Sequence, residues 1–353
     1  MSPAAGSVPA VALSAVDLFA GAGGATQGLR DAGFVVAGAV EIDPAAAKTY
    51  ALNHPETHLW TKDIRKVSAA SMLRALDMRK GELALLKACP PCQGFSSLAV
   101  GRVEVNAAQN DLVIDTLRFI RAFRPRAVML ENVPGLGRDS RAKTVTEALA
   151  SLGYVSRQYS VDAVQFGVPQ RRRRLIIVAL RGRRAALPET LPAEGLDHPV
   201  SVKSAFDELA QFLVPDDPIN VGRRLSKIVQ DRVDAIPRNG NRFDLPLELQ
   251  LACHQRVDKT TRSATASYGR LKLDEPSPTM TTRCTTVACG SFIHPTANRG
   301  ITLREAATLQ TFPLDYRFSG TYGEIERQIG NAVPVKMAAA LGGVVRSLLD
   351  NVA

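Results

Sequence analysis

The chain has 353 residues, 45% apolar and 22% charged, which excludes general disorder and leaves room for one large domain or two ordinary ones. No run of 18 apolar residues argues for a membrane span, and the stretch through Phe19 lacks the Lys or Arg of a basic leader. Five Cys are too few, and an odd number, for a disulfide framework, so a reducing cytoplasm is expected; the net charge of +10 favours an anionic partner, nucleic acid before a membrane surface.

The first strand-like run is Ala15–Phe19, and Asp17-Leu18-Phe19-Ala20-Gly21-Ala22-Gly23-Gly24 carries it into a helix-like stretch. Small residues there let backbone amides approach a ligand, and a helix amino terminus favours a negative group. Thr26 stands where a dinucleotide fingerprint wants its last glycine, which weakens a nicotinamide reading and leaves a plain strand–helix turn as the alternative. Val35–Glu41 is the second run. Its last residue, Glu41, falls about 20 residues after the glycine loop, the spacing at which a carboxylate accepts ribose hydroxyls. Asp63 follows Leu59-Trp60, and either acid alone also reads as an exposed strand-end charge.

Leu83–Ala88 leads into Cys89-Pro90-Pro91-Cys92-Gln93-Gly94-Phe95-Ser96. A C-x-x-C pair can be a redox couple or half a zinc site, but Cys253, Cys284 and Cys289 do not complete a metal set, so no metal is expected. Two prolines stiffen the turn and present Cys92 in a fixed direction, as a nucleophilic thiol requires. A helical pattern over Asp111 to Phe123 precedes the strand Ala127–Glu131, which ends in Glu131-Asn132-Val133-Pro134-Gly135. A Glu at such a strand end can act as a proton donor; a solvated acid is the bland alternative. Val155–Val161 and Leu175–Leu180 follow. Before the last comes Gln170-Arg171-Arg172-Arg173-Arg174, within a stretch to Arg184 that holds seven Arg and no acid. Alternation puts Gln170, Arg172 and Arg174 on one face, toward a cleft or toward water.

Strand and helix alternating in this way predict an α/β fold with a doubly wound, mostly parallel Rossmann-like sheet, whose ligands bind at the carboxyl ends of the strands. The rhythm stops near Arg184. Residues 1–184 are expected to form the catalytic and cofactor-binding domain, 185–278 a second, smaller domain, and 279–353 a return segment that closes on a helix over Ala338–Leu349. The excess charge sits mostly in residues 1–184, at +10, while residues 219–272 carry +6 inside an otherwise acidic middle stretch.

In order along the chain, these motifs resemble the DNA cytosine carbon-5 methyltransferase family. The resemblance also rests on Arg304-Glu305-Ala306-Ala307, Gln310-Thr311-Phe312-Pro313 and Gln328-Ile329-Gly330-Asn331-Ala332-Val333-Pro334. It implies S-adenosyl-L-methionine as cofactor and a flipped-out cytosine in duplex DNA as substrate. Carried over by position, Cys92 is the nucleophile on carbon 6, Glu131 contacts ring nitrogen 3 and the amino group, and Arg174 with Arg172 holds the exocyclic oxygen. For the cofactor the resemblance implies Phe19, Ala20, Gly21, Ala22, Gly23 and Gly24, then Glu41 with Ile42, Asp63 with Ile64, and Pro91, Leu112, Asn331, Ala332 and Val333. The middle stretch corresponds to the target-recognition domain, where Arg223, Arg224, Arg232, Arg238, Arg242, Arg256, Lys259, Arg262 and Arg270 are candidates for DNA contacts. Ser96, Gln170, Arg256, Arg270, Thr279 and Thr281 are expected at the nucleic acid, and His254 and His294 are expected to be structural. A monomer acting in the cytoplasm on nucleoid DNA is implied, with a cognate restriction endonuclease as a separate partner. A transfer-RNA methyltransferase on the same fold is the first alternative, although the Cys-Phe-Thr tripeptide of that branch is missing. A catalytically dead homologue is the second, and retention of Cys92, Glu131 and Arg174 speaks against it.

Overall fold

The computed structural model describes residues 13–91, 111–182, 186–192, 198–212, 217–255 and 266–351, apart from the side chains of Cys253 and His254. All six strand-like runs form strands: β1 (Leu13–Leu18), β2 (Phe34–Glu41), β4 (Leu85–Ala88), β5 (Ala127–Asn132), β6 (Tyr154–Asp162) and β7 (Arg173–Arg181). A short edge strand, β3 (His58–Thr61), carries Leu59 and Trp60. The seven strands run in the order β3-β2-β1-β4-β5-β7-β6; the first five are parallel, and β7 is antiparallel to both its neighbours. The expected mostly parallel, doubly wound α/β sheet is therefore present.

Near-continuous apolar strands of this kind must be covered on both faces. Alternate residues divide accordingly. Val16, Leu18, Leu86, Ala88, Val128 and Leu130 face the helices Ala69–Ala75, Leu112–Phe123 and Ser140–Ser151, contributing to one core layer. Ala15, Leu85, Ala127, Met129, Ile176 and Val178 face the other way, onto Leu29 of the first helix, Gly24–Asp31, and Met337, Leu341 and Val345 of the last, Val335–Asp350.

The return of the chain end is built into that second layer. Gly28 of the first helix has no room for a side chain, since a Cβ there would lie 2.4 Å from the Val335 carbonyl. By length and composition Tyr322–Asp350 would suffice to cross a membrane. However, the helix is interrupted after Asn331, and its second half buries Met337, Leu341 and Val345 against the sheet. Two further apolar clusters lie beyond the sheet. One joins Val202 and Ala205 to Met280, Leu303, Leu309, Phe312 and Ile329, and the other gathers Val233, Ile236, Leu245, Tyr268, Val287 and Ile293.

Candidate active site

At the carboxyl ends of β1, β4 and β5, one face of the sheet carries charge in place of apolar side chains. Asp17 and Lys87 are register partners on β1 and β4, and the Lys87 ammonium donates to the Asp17 carboxylate at 2.8 Å with both side chains buried. Asp17 also accepts from the Thr26 hydroxyl at 2.8 Å, and that hydroxyl meets Tyr50 at 3.0 Å. Burial alone would pull the Lys87 ammonium down; the Asp17 carboxylate outweighs it and holds the group above its usual range. The Cys89 thiol is pushed far up, by burial first and then by Glu131 and Asp17, although Lys87 pulls the other way. Cys89 is consequently a neutral, inert thiol, and the redox reading of the C-x-x-C pair loses its first partner.

The second pair lies on β5 and β7. Glu131 Oε1 and Arg174 Nε form an ion pair at 2.6 Å, and the two side chains are 12% and 13% exposed. Antiparallel register sets Glu131 opposite Ile176, two residues along from Arg174, so the long guanidinium stem reaches across. Next to it, Asn132 Nδ2 donates to the Pro90 carbonyl at 3.1 Å and ties the Pro90-Pro91 turn to the end of β5. Pro91 is half-buried at the last described position of that segment; Cys92 and Ser96, like Arg256, lie outside the described residues.

The cofactor candidates surround the end of β1. Phe19 and Gly21 both take left-handed backbone conformations, with φ of 60° and 57°. A Cβ on Gly21 would meet nothing within 4 Å, so the turn borders open space. Glu41 fixes the turn, because its Oε2 accepts the Gly21 amide at 2.7 Å while Oε1 accepts the amides of Ile42 and Asp43 at 2.8 Å. Burial raises the Glu41 carboxyl, and these three amides partly oppose it. Ile42 beside it is 60% exposed, an apolar platform that a flat ring can cover. Asp63 is gripped by the backbone amide and guanidinium of Arg65, which hold its carboxyl down at about 2. Ile64 packs into the core beneath, and Leu112 lies half-buried against the same cluster. Val333 closes on Ala25, Ala338 and Cys89, Asn331 is exposed, and Gln310 holds the Ala332 carbonyl at 3.3 Å.

Four side chains at this site escape a reading by motif: Lys87, Thr26, His54 and Tyr316. The Tyr316 hydroxyl donates to the Ala22 carbonyl at 2.6 Å, and His54 Nε2 lies 3.2 Å from the Gly23 carbonyl and 3.0 Å from the Tyr316 hydroxyl. Arg30 donates to His54 Nδ1 at 3.0 Å, which leaves the proton of the neutral ring on Nε2, facing the glycine turn. Gly23 has φ of 93°, and a Cβ there would clash with the His54 ring at 2.6 Å.

Burial, then the Arg30 charge, lowers His54 to about 4 from a usual value near 6.5. The unfolded histidine takes up its proton first, so the unfolded state binds more protons between those values. Stability should therefore be intact above pH 6.5 and fall by about 2–3 kcal/mol as the pH is lowered to 4. Denaturant titrations across that range should show the slope in the wild type and lose it in His54→Gln.

Removal of Lys87 should be costlier. Lys87→Met leaves Asp17 buried with only the Thr26 hydroxyl, a loss of roughly 3–5 kcal/mol. The double variant Asp17→Asn, Lys87→Met should recover most of the melting temperature. If the single variant melts like the wild type, the pair contributes nothing.

Three expectations are corrected by the geometry. Arg172 does not face a reacting base: it is buried, and its Nη1 and Nη2 donate to the carbonyls of Met280 at 2.9 Å and Gly330 at 3.2 Å, a strut between two segments. Gln170 is wholly buried and bonds Leu309, Gln310 and the Met280 amide, so it presents nothing to nucleic acid. Arg270, 5% exposed, spends its guanidinium on the carbonyls of Pro237, Val233, Ile236, His294 and Ala297. Of the other candidates, Arg223 pairs with Glu326 at 2.9 Å and Arg232 donates to the Leu249 carbonyl. Thr279 and Thr281 are half-buried at the rim, Thr279 donating to the Arg171 carbonyl at 2.8 Å and Thr281 closing over Gly330. His294 stacks on Phe206 and faces Glu305, a structural position.

The family model of the C-5 cytosine-specific DNA methylases matches residues 13–347. The chain belongs to this family. It is 31% identical over 347 residues to the Type II methylase M.HgiDII of Herpetosiphon aurantiacus, covering 95% of each chain. It is 32% identical to the Type II methyltransferase M.PspPI of a Psychrobacter species, over 97% of this chain and 81% of that one. Among solved structures, an Escherichia coli protein assigned as a DNA modification methyltransferase encoded within a prophage superposes with a TM-score of 0.69 at 27% identity, covering 96% of this chain and all of that one. This methylase is a DNA cytosine-5-methyltransferase that depends on S-adenosyl-L-methionine. The open glycine turn, the fixed Glu41 carboxylate and the exposed Ile42 fit that cofactor's methionine, ribose and adenine parts.

Proposed function

We propose that this methylase acts on a cytosine flipped out of a specific duplex DNA sequence, through a covalent bond between Cys92 Sγ and carbon 6 of the ring. The observation that carries the proposal is the Glu131–Arg174 pair, fixed at 2.6 Å beside the turn that leads to Cys92. A cytosine ring stacked in a duplex exposes neither carbon 6 nor its Watson–Crick edge, so the base must leave the helix, at a cost of a few kcal/mol.

Addition of the Cys92 thiolate to carbon 6 pushes electron density onto carbon 5 and nitrogen 3. Glu131 meets that charge at nitrogen 3 and the amino group, while Arg174 both orients Glu131 and holds the exocyclic oxygen. The bound cofactor supplies the activated methyl group that carbon 5 takes up. Water then takes the carbon-5 proton, the electron pair left behind expels Cys92 as thiolate, and Glu131 recovers the nitrogen-3 proton, which restores the aromatic ring by the two-step route that nucleophilic catalysis opens. Glu41 accepts a ribose hydroxyl with the one lone pair that Oε2 keeps beside its bond to the Gly21 amide. Asp63 and Ile64 lie on the adenine side with Ile42, and Val333 with Asn331 closes the pocket from the far end of the chain.

We assign residues 1–184 and 279–353 to the catalytic part and the basic segment within 185–278 to reading of the target. Thr279, Thr281 and Ser96 flank the flipped nucleotide. The methylase works in the cytoplasm on nucleoid DNA, in a restriction–modification system with a separate cognate endonuclease. Bisulfite sequencing of DNA from cells expressing the protein tests the function directly. Protected cytosines should cluster in one short sequence, and no protection in the wild type would overturn the proposal.

A further inference from the structure

The described arginines of the basic segment fall into two kinds, with one exception. Arg223, Arg232 and Arg270 are spent on Glu326 or on backbone carbonyls, and Arg224 and Arg238 lie exposed to solvent. Arg242 is neither. It is only 6% exposed, its Nε is sealed from solvent without a hydrogen-bond partner, and no carboxylate or carbonyl among the described residues takes its guanidinium. Its one neighbour of note is the ring of Phe243, whose centroid lies 5.0 Å from the Arg242 Cζ. Nη1 and Nη2 keep a little solvent contact, so the stem and Nε are enclosed while the outer edge of the fork stays open to an acceptor from outside the fold.

The loop that carries Arg242 is fixed with unusual thoroughness. Asn241 and Asp244 form a reciprocal capping box around it, and the Gly240 amide bonds Pro237. The Arg270 amide donates to the Gly240 carbonyl at 2.9 Å, and the Arg270 side chain grips Pro237 and Ile236. Arg270 is thus the anchor of the 236–244 loop, and Arg242 is the group held at its tip.

We propose that Arg242 is a specificity-determining residue, a preoriented guanidinium that reads acceptor atoms on a base edge of the target DNA, with guanine O6 and N7 as the chemistry it fits. Phosphate contacts are made by mobile, solvated side chains and need no such fixation, whereas bidentate base reading needs a guanidinium held in one plane. The Phe243 ring, with its centroid 5.0 Å from Cζ, limits how the guanidinium can turn. The inference rests on the DNA-methylating reading above.

The test compares wild type with Arg242→Met and Arg242→Lys by bisulfite sequencing of expressing cells, melting temperature, and methylation kinetics on the preferred duplex. Loss of methylation in the wild type itself would indict the underlying reading, not this residue. If Arg242 reads a base, Arg242→Met melts close to the wild-type temperature, because the guanidinium has no hydrogen-bond partner in the fold to lose. Its kcat/KM on the preferred duplex falls roughly 10- to 100-fold, and one base position of the methylated sequence becomes degenerate. Arg242→Lys, with a point charge and no fork, should show the same degeneracy. A lowered melting temperature with an unchanged sequence preference would make the residue structural. A uniform loss with unchanged preference and a weaker salt dependence would make it a phosphate contact, and either result overturns the proposal.

Discussion

Cys92→Ser should reduce methyl transfer by at least about a thousandfold, while Cys89→Ser keeps most of it. The two thiols are three residues apart, and the contrast between them comes from where the chain puts them. Cys89 continues the Lys87 side of β4, half-buried against Ala25, Val333 and Ala338, and desolvation, then Glu131 and Asp17, holds its thiol well above its usual range. Pro90 and Pro91 then turn the chain out of the sheet, and the Asn132–Pro90 hydrogen bond fixes where the turn departs. The last described residue of the turn, Pro91, thus follows a backbone tied to the strand that carries Glu131, and the proposed nucleophile is the next residue in sequence. Radiolabel transfer from the cofactor to DNA, with cofactor affinity measured in parallel by calorimetry, separates loss of chemistry from loss of fold. Retained transfer in Cys92→Ser, or equal losses in the two variants, would end the covalent mechanism.

How far the sequence discloses this site depends on what kind of residue carries each part. β1, β2, β4, β5 and β7 are legible because a sheet covered on both faces needs nearly unbroken apolar runs, and β4, no longer than β3, lies at its centre. β3 is only four residues at an edge, with His58 and Thr61 exposed, and its pattern is weak. Glycine, proline and carboxylate motifs at strand ends are legible because the backbone geometry demands those residue types there. Arginines are not. Arg172, Arg174 and Arg270 look alike in a basic stretch, yet the first ties down carbonyls, the second pairs with Glu131, and the third builds a loop. Sequence spacing shows which face a stem leaves from, not whether a long stem turns inward to backbone carbonyls or outward to phosphate. Lys87 was discoverable. A lone Lys in the run Leu85-Leu86-Lys87-Ala88, buried on both faces, requires an opposite charge, and Asp17 sits in the matching place in Val16-Asp17-Leu18.

Glu131→Gln should slow methyl transfer roughly 100- to 10,000-fold and leave cofactor binding near the wild-type level. The amide is nearly isosteric and its oxygen can still face Arg174 Nε, so the positioning of the pair survives. On the proposed route, what is lost is the charge that meets nitrogen 3 as the Cys92 adduct forms, since a neutral amide neither delivers a proton there nor stabilises a protonated ring. Arg174→Ala separates the two roles. It leaves the 12%-exposed Glu131 carboxylate without its partner, and the cost of that half-buried charge, about 1–3 kcal/mol, falls on the folded state as well as on the reaction. Glu131→Gln should accordingly melt close to the wild type and fail in kcat, whereas Arg174→Ala should lose both melting temperature and kcat. Single-turnover rates on a preformed complex with DNA distinguish them, because they exclude product release and substrate capture. A Glu131→Gln variant that turns over at the wild-type rate would mean that the pair only shapes the pocket, and that the proton at nitrogen 3 comes from elsewhere.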